Sequence, residues 1–121
     1  MILRFKGTVN PAGVSREMWF AIGAMAAIHW RMFGRPMVVT SLVDGAHGTH
    51  TLHYAGQAAD VRTRELSENE KQSFHQVCAE LLGRHGFDLV AEGPPWNERA
   101  PHEHCEFDPK EGEEFLVWEG V

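Results

Sequence analysis

Several kinds of residue are scarce in this chain of 121 residues, and each scarcity excludes a class of protein. Two cysteines, Cys78 and Cys105, are too few for the disulfide scaffold of a small secreted domain. The chain has 11 basic residues and 17 acidic ones, and the resulting net charge of -6 argues against a nucleic-acid partner. The longest apolar run, Met18 to Ile28, is too short to span a bilayer, so we expect no membrane partner.

The chain also lacks internal repeats, low-complexity segments and linkers. Its length suits one compact core, so we predict a single domain over residues 1–121, and we expect a monomer. The first residues have no basic segment followed by an apolar run and a cleavage site. We therefore expect a protein that is cytoplasmic as synthesised.

Helix and strand signals predict an α+β domain, with a small, largely antiparallel sheet beside two main helices. The first helix opens at the N-cap Ser15 and stops at Gly34, and apolar residues nearly all round it predict deep burial. The second opens with a capping box, Ser67 to Glu70, and stops at Gly83. The predicted strands are Ile2 to Lys6, Met37 to Leu42, Ala58 to Thr63, Phe87 to Ala91, His102 to Phe107 and, at an edge, Phe115 to Trp118.

Histidine is abundant, with eight in the chain, and five of them fall in two short stretches. The first stretch ends at His53, seven residues before Asp60, and the second holds His102 and His104. Side chains alternate along a strand, so Asp60 shares a face with Arg62, while His102 and His104 share a face of the last strand. Imidazole and carboxylate are suitable ligands for a hydrolytic zinc, which takes three protein ligands and keeps one position open.

These two segments together resemble the hedgehog/D-Ala-D-Ala-peptidase zinc fold. The likeness lies in His53-x-x-Gly56-x-Ala58-x-Asp60 and in His102-x-His104, and it is greatest to the hedgehog signalling domain. It extends over about Val38 to Glu106. The resemblance implies that His53, Asp60 and His104 bind Zn²⁺, that Glu98 lies beside the metal-bound water, and that His102 lies near the transition state.

The resemblance also implies an activity. Bacterial and phage members of this fold are mostly peptidases that cut peptidoglycan peptides, often next to a D-amino acid. We therefore expect a zinc metallopeptidase with Glu98 and His102 as catalytic residues and a cell-wall peptide as substrate; a phage-encoded protein would act on the cell wall. Peptidases of this fold usually carry the glutamate three residues before the last ligand, where this chain has Pro101, whereas Glu98 matches the hedgehog spacing.

Alternative functions are also compatible with these residues. The domain could be a catalytically inactive, zinc-stabilised binding module, and His102 as a fourth ligand would favour that hypothesis because it closes the metal site. A non-peptide amidase on the same scaffold is a third hypothesis. Arg62 could bind a substrate carboxylate bidentately, or it could simply face solvent at the end of a strand.

Overall fold

A computed structural model describes residues 1–42 and 57–109 of the chain. The predicted zinc ligand His53 and the predicted edge strand at Phe115 to Trp118 lie outside these described residues. In chain order the described elements are β1 (Leu3–Phe5), α1 (Arg16–Phe33), β2 (Met37–Ser41), β3 (Ala58–Arg62), α2 (Glu68–Gly83), β4 (Phe87–Glu92) and β5 (His102–Phe107).

The five strands form one mixed sheet in the order β1-β2-β3-β5-β4. β1 runs parallel to β2, and the other three pairings are antiparallel. The α+β class and the largely antiparallel sheet are therefore confirmed for the described part of the chain. β5 lies between β3 and β4, so the segment that carries His102 and His104 occupies an interior strand with its backbone paired on both sides.

The predicted helix caps are confirmed. The Ser15 side chain accepts a hydrogen bond from the Met18 backbone N–H at 3.2 Å. Gly34 ends α1 with φ of 65°, a left-handed conformation that glycine adopts without a Cβ penalty. At the start of α2, Ser67 and Glu70 each accept a hydrogen bond from the other's backbone N–H.

Both helices pack on the same face of the sheet. Side chains that point to this face from the central strands, including Ala59, Val61 and Cys105, join one apolar core with residues of both helices. The cysteines are buried, as the sequence predicts for small hydrophobic side chains. Among the described residues no helix is both long enough and apolar enough to cross a membrane.

The predicted deep burial of α1 is found on one side of the helix only. Trp19, Phe20 and Trp30 remain 40%, 48% and 42% exposed on its outer side. In a domain of two layers, a helix meets the sheet and its neighbouring helix along one side only, so its remaining side chains face outward.

The carboxyl group of one strand residue lies in the core layer. Glu103 of β5 is 1% exposed, and its carboxylate accepts a hydrogen bond from His75 Nδ1 of α2 at 2.5 Å. Burial raises the pKa of Glu103, and the hydrogen bond to His75 opposes that rise. The pair joins α2 to the strand that carries the two site histidines.

Candidate metal and substrate site

The candidate site occupies the sheet face opposite the helices, where strand register sets its side chains in rows. Asp60 of β3 pairs with His104 of β5, and Arg62 pairs with His102 one row further along. Residues two apart in a strand point to the same face, so these four side chains project together. The strand alternation predicted from the sequence is confirmed here.

Asp60 and His104 are in direct contact. The Nδ1 of His104 donates a hydrogen bond to Oδ1 of Asp60 at 2.7 Å. Both side chains are largely shielded, with 18% and 20% of their surface exposed. The structure therefore brings together two of the three predicted zinc ligands, from sequence positions 44 residues apart.

His104 lies between two carboxylates. Its Nε2 donates to Oε1 of Glu106 at 3.0 Å, while its Nδ1 donates to Asp60. The hydrogen bond to Asp60 raises the pKa of His104 most; the charges of Asp60 and Glu106 add to that rise, and burial opposes it. Two carboxylate partners favour the protonated form of the imidazole, so a metal ion that bound Nδ1 or Nε2 would compete with a proton.

His102 has a different environment. Its Nδ1 donates to the carbonyl oxygen of Ala100 at 2.8 Å, which orients the ring. Its Nε2 lies 3.9 Å from Oδ1 of Asp60, too far for a hydrogen bond. His102 is therefore close to Asp60 without direct contact, and its Nε2 points toward the same carboxylate that His104 contacts.

Glu98 lies on the loop between β4 and β5. Its side chain is exposed, and within the described part of the chain it forms no hydrogen bond or ion pair. The loop itself is anchored by Asn97, whose side-chain oxygen accepts from the backbone N–H of Gly93 at 2.8 Å. The structure thus places Glu98 on the loop that leads into His102, and does not join it to Asp60 or His104.

A cavity of about 240 Å³ opens beside Asp60 and His102. Arg62, the predicted substrate-binding residue, lines it from β3, and Arg62 also borders a smaller cavity near His29. The larger cavity is further lined by Lys6, Thr40, Arg64, Ala100 and Pro101. The candidate metal ligand Asp60 therefore forms part of the wall of a space that a small substrate group can enter.

Three charged residues around this site were not predicted to be site residues. Strand alternation in the sequence places Glu106 on the face of His104, but nothing in the sequence gives Glu106 a role there. Lys6 and Arg64 carry no local signal, since Lys6 reaches the cavity only through the pairing of β1 with β2.

A separate acidic group lies on the far side of Glu106. Carboxylate oxygens of Asp88, Glu106 and Asp108 lie within 4.8 Å of one another, and this is the one such group of potential ligands among the described residues. Three carboxylates suit a hard cation such as Ca²⁺ or Mg²⁺. Zinc sites usually include nitrogen or sulfur ligands, which this group does not offer. The group therefore gives no support to a zinc site at that position.

In comparisons with known proteins, the chain matches no model of a protein family, and a search of curated proteins returns no match.

Proposed function

We propose that this chain is a zinc-dependent peptidase with the hedgehog/D-Ala-D-Ala-peptidase fold. The observation that carries the proposal is the contact of 2.7 Å between Asp60 and His104 on the open face of the sheet, beside a cavity. A carboxylate and an imidazole that converge at such a position match the mixed oxygen and nitrogen ligands of hydrolytic zinc sites.

The ligands would be Asp60, His104 and His53. Asp60 and His104 fit a metal in donor type and in proximity, because Oδ1 of Asp60 lies 2.7 Å from Nδ1 of His104. His53, outside the described residues, is proposed on the family resemblance. When bound, zinc lowers the pKa of a coordinated water and polarises a carbonyl group.

The side chains around the ligands have distinct tasks in amide hydrolysis. His102, whose ring is oriented by the Ala100 carbonyl, would donate from Nε2 to the oxygen that gains charge as water adds to the carbonyl carbon. Glu98 would accept a proton from the attacking water and transfer it to the amine as the C–N bond breaks. The products are a carboxylic acid and an amine.

The substrate we propose is a cell-wall peptide that contains a D-amino acid. The family resemblance supports this choice, and the polar cavity beside Asp60 gives a peptide end a place to bind. Arg62 on the cavity wall would bind a substrate carboxylate, because a guanidinium can donate two parallel hydrogen bonds to it.

One observation favours a second candidate function. Glu98 is exposed and forms no hydrogen bond or ion pair with the other described residues, whereas a general base must come within hydrogen-bonding distance of the water it deprotonates. A zinc-stabilised binding module that does not catalyse hydrolysis requires no such approach. The two candidates share the metal and differ in the role of Glu98.

Metal content and turnover separate these candidates. Protein purified without added metal should contain about one zinc per chain and should release amines from purified peptidoglycan, with loss of activity in a chelator and recovery on adding zinc. Glu98→Gln should keep its zinc and lose turnover by roughly two orders of magnitude or more. The matched control Glu80→Gln alters an exposed glutamate on α2 and should retain full activity.

Two results would count against the peptidase. Zinc binding without hydrolysis of any peptide would favour the binding module. A protein that holds no zinc even after zinc is added would contradict both candidates.

A further inference from the structure

The cavity beside Asp60 and His102 is strongly cationic. Three basic side chains, Lys6, Arg62 and Arg64, line it, and Asp60 is the one carboxylate among the described residues of its wall. The whole chain has 11 lysines and arginines and a net charge of -6, so three of its few cations share one small space. Positive side chains that line one cavity repel one another, and an anion bound between them removes that repulsion.

Three basic residues elsewhere in the described chain are paired with carboxylates, and the three cavity cations are not. Arg16, Arg35 and Arg99 form ion pairs with Glu17, Glu70 and Glu92, respectively. Lys6, Arg62 and Arg64 form no ion pair with any carboxylate in residues 1–42 or 57–109. Asp60, the carboxylate of the cavity wall, accepts a hydrogen bond from His104.

The positions of the cations indicate more than one anionic group. Arg62 lies directly opposite His102, next to the place where the scissile bond would bind, and Arg64 follows two residues further along the chain. Lys6 comes from the end of β1, two strands away from β3 in the sheet. One carboxylate occupies a single guanidinium fork, so cations spread over this width suit two carboxylates.

We infer that the cavity binds a substrate residue with two carboxylates, one at the end of the peptide and one in the side chain. Arg62 would bind the terminal carboxylate beside the scissile bond, and Arg64 with Lys6 would bind the side-chain carboxylate. A cavity needs about 10–15 Å³ on this measure to hold one water molecule, so 240 Å³ is room for an amino-acid residue. The inference rests on the proposed peptidase, and it makes the enzyme a carboxypeptidase that releases an acidic amino acid.

The bond changes are those of simple hydrolysis. Water supplies a hydroxyl group to the carbonyl carbon, the C–N bond breaks, and the nitrogen of the released diacid takes up a proton. No further reactant is needed.

Four acetylated dipeptides test this inference on the zinc-loaded protein. They end in glutamate or glutamine, as the free acid or as the C-terminal amide, and the set of four is made twice, once with the D and once with the L terminal residue. We expect kcat/KM to be greatest for the glutamate free acid and to fall about tenfold for each carboxylate removed, the usual size of a charge-assisted hydrogen bond. Equal kcat/KM for all four peptides would overturn the inference and leave the peptidase proposal standing.

Substitutions in the cavity test which basic side chain binds which carboxylate of the substrate. Arg62→Gln should abolish the preference for the free acid over the amide, while Arg64→Gln and Lys6→Gln should reduce the preference for glutamate over glutamine. Arg84→Gln is the matched control, because Arg84 donates to the backbone oxygen of Glu80 on α2, away from the cavity. A control that weakens these preferences as much as the cavity variants would overturn the inference.

Binding measurements keep the test decisive if no dipeptide is hydrolysed. Calorimetric titration of the zinc-loaded protein with each dipeptide should then show about a hundredfold lower Kd for the glutamate free acid than for the glutamine amide, about tenfold for each carboxylate. A smaller difference in Arg64→Gln would support the cavity as the binding site even though the peptidase proposal had failed. Equal binding, or no binding, would overturn the inference.

Discussion

At the scale of single residues, the two histidines of β5 differ in ways that their sequence spacing conceals. Both point to the open face, and only His104 contacts Asp60 directly, while His102 is oriented by a backbone carbonyl. This asymmetry agrees with the assignment of His104 as the ligand and His102 as the donor to the transition state.

We predict different effects from removing each histidine. His104→Ala should lose most of its zinc, because one of three ligands is gone. His102→Ala should keep its zinc and lose about 3 kcal/mol of transition-state stabilisation, or roughly two orders of magnitude in turnover. Metal analysis and peptidase assays on both variants measure this. Zinc loss in His102→Ala alone would reverse the assignment, and zinc loss in both would indicate a closed site with four ligands.

His29 of α1 titrates differently in the folded and the unfolded chain. It is 4% exposed, and its Nδ1 donates to the carbonyl of Arg35 at 2.7 Å. Burial lowers the pKa of His29, and the positive charge of Arg35 lowers it further, whereas the hydrogen bond to the Arg35 carbonyl and the charges of Glu65 and Glu70 oppose the change. The folded protein therefore resists a proton that the unfolded chain accepts near pH 6.5.

The lowered pKa of His29 should make the folded protein less stable in acid. Above about pH 6.5 His29 is neutral in both states and has no effect, while below it the unfolded chain binds more protons and the free energy of unfolding falls. His29→Phe keeps an aromatic ring against Phe33 and Phe74 and removes the titration. Urea unfolding between pH 7.5 and 5.5 should show a smaller fall in this variant. Parallel curves for the two proteins would contradict the prediction.

At the scale of elements, β5 carries polar side chains on both of its faces. The open face carries the candidate site, and the helix face carries Glu103, which accepts a hydrogen bond from His75 of α2. Val61 and Ala91 flank Glu103 on the neighbouring strands, and His75 is the one hydrogen-bond partner of its carboxyl group among the described side chains. A buried carboxylate that loses its partner is costly, whereas an apolar replacement of the pair costs little.

We therefore predict a strong coupling between these two residues. His75→Phe should lower the free energy of unfolding by about 3 kcal/mol, because Glu103 is left buried without a donor. Glu103→Val should cost about 1 kcal/mol or less, since His75 is part exposed and can reach water. Adding His75→Phe to Glu103→Val should cost almost nothing more. Urea denaturation of the four proteins gives the coupling, and additive effects would show that the pair has no special role.

At the scale of the whole molecule, the two cysteines report on global unfolding. Cys78 of α2 and Cys105 of β5 are fully buried in one core, and burial raises the pKa of both thiols far above the ordinary value. Only the thiolate reacts readily with alkylating reagents, so the folded protein should be inert near pH 8.

We predict no alkylation of the native protein over a period in which denatured protein gains two labels per chain. Mass spectrometry after treatment with iodoacetamide, with and without urea, measures both states. Labelling of one cysteine in native protein at the rate found for the denatured chain would show that its part of the core opens locally.

The local elements follow from the sequence because their causes are local. The caps at Ser15 and Ser67, the stop at Gly34, and the two-residue alternation that sends His102 and His104 to one face depend on residues a few positions apart. The donor types of Asp60 and His104 are also visible in the sequence, and an imidazole with a carboxylate is sufficient to suggest a metal ion.

Tertiary structure alone decided which of these groups meet. The antiparallel register of β3 with β5 sets Asp60 against His104, and the parallel pairing of β1 with β2 brings Lys6 to the cavity of Arg62 and Arg64. It also buried Glu103 against His75 and left one side of α1 exposed. Such contacts depend on strand order and helix packing, which are set by the free energy of the whole core and not by any short segment.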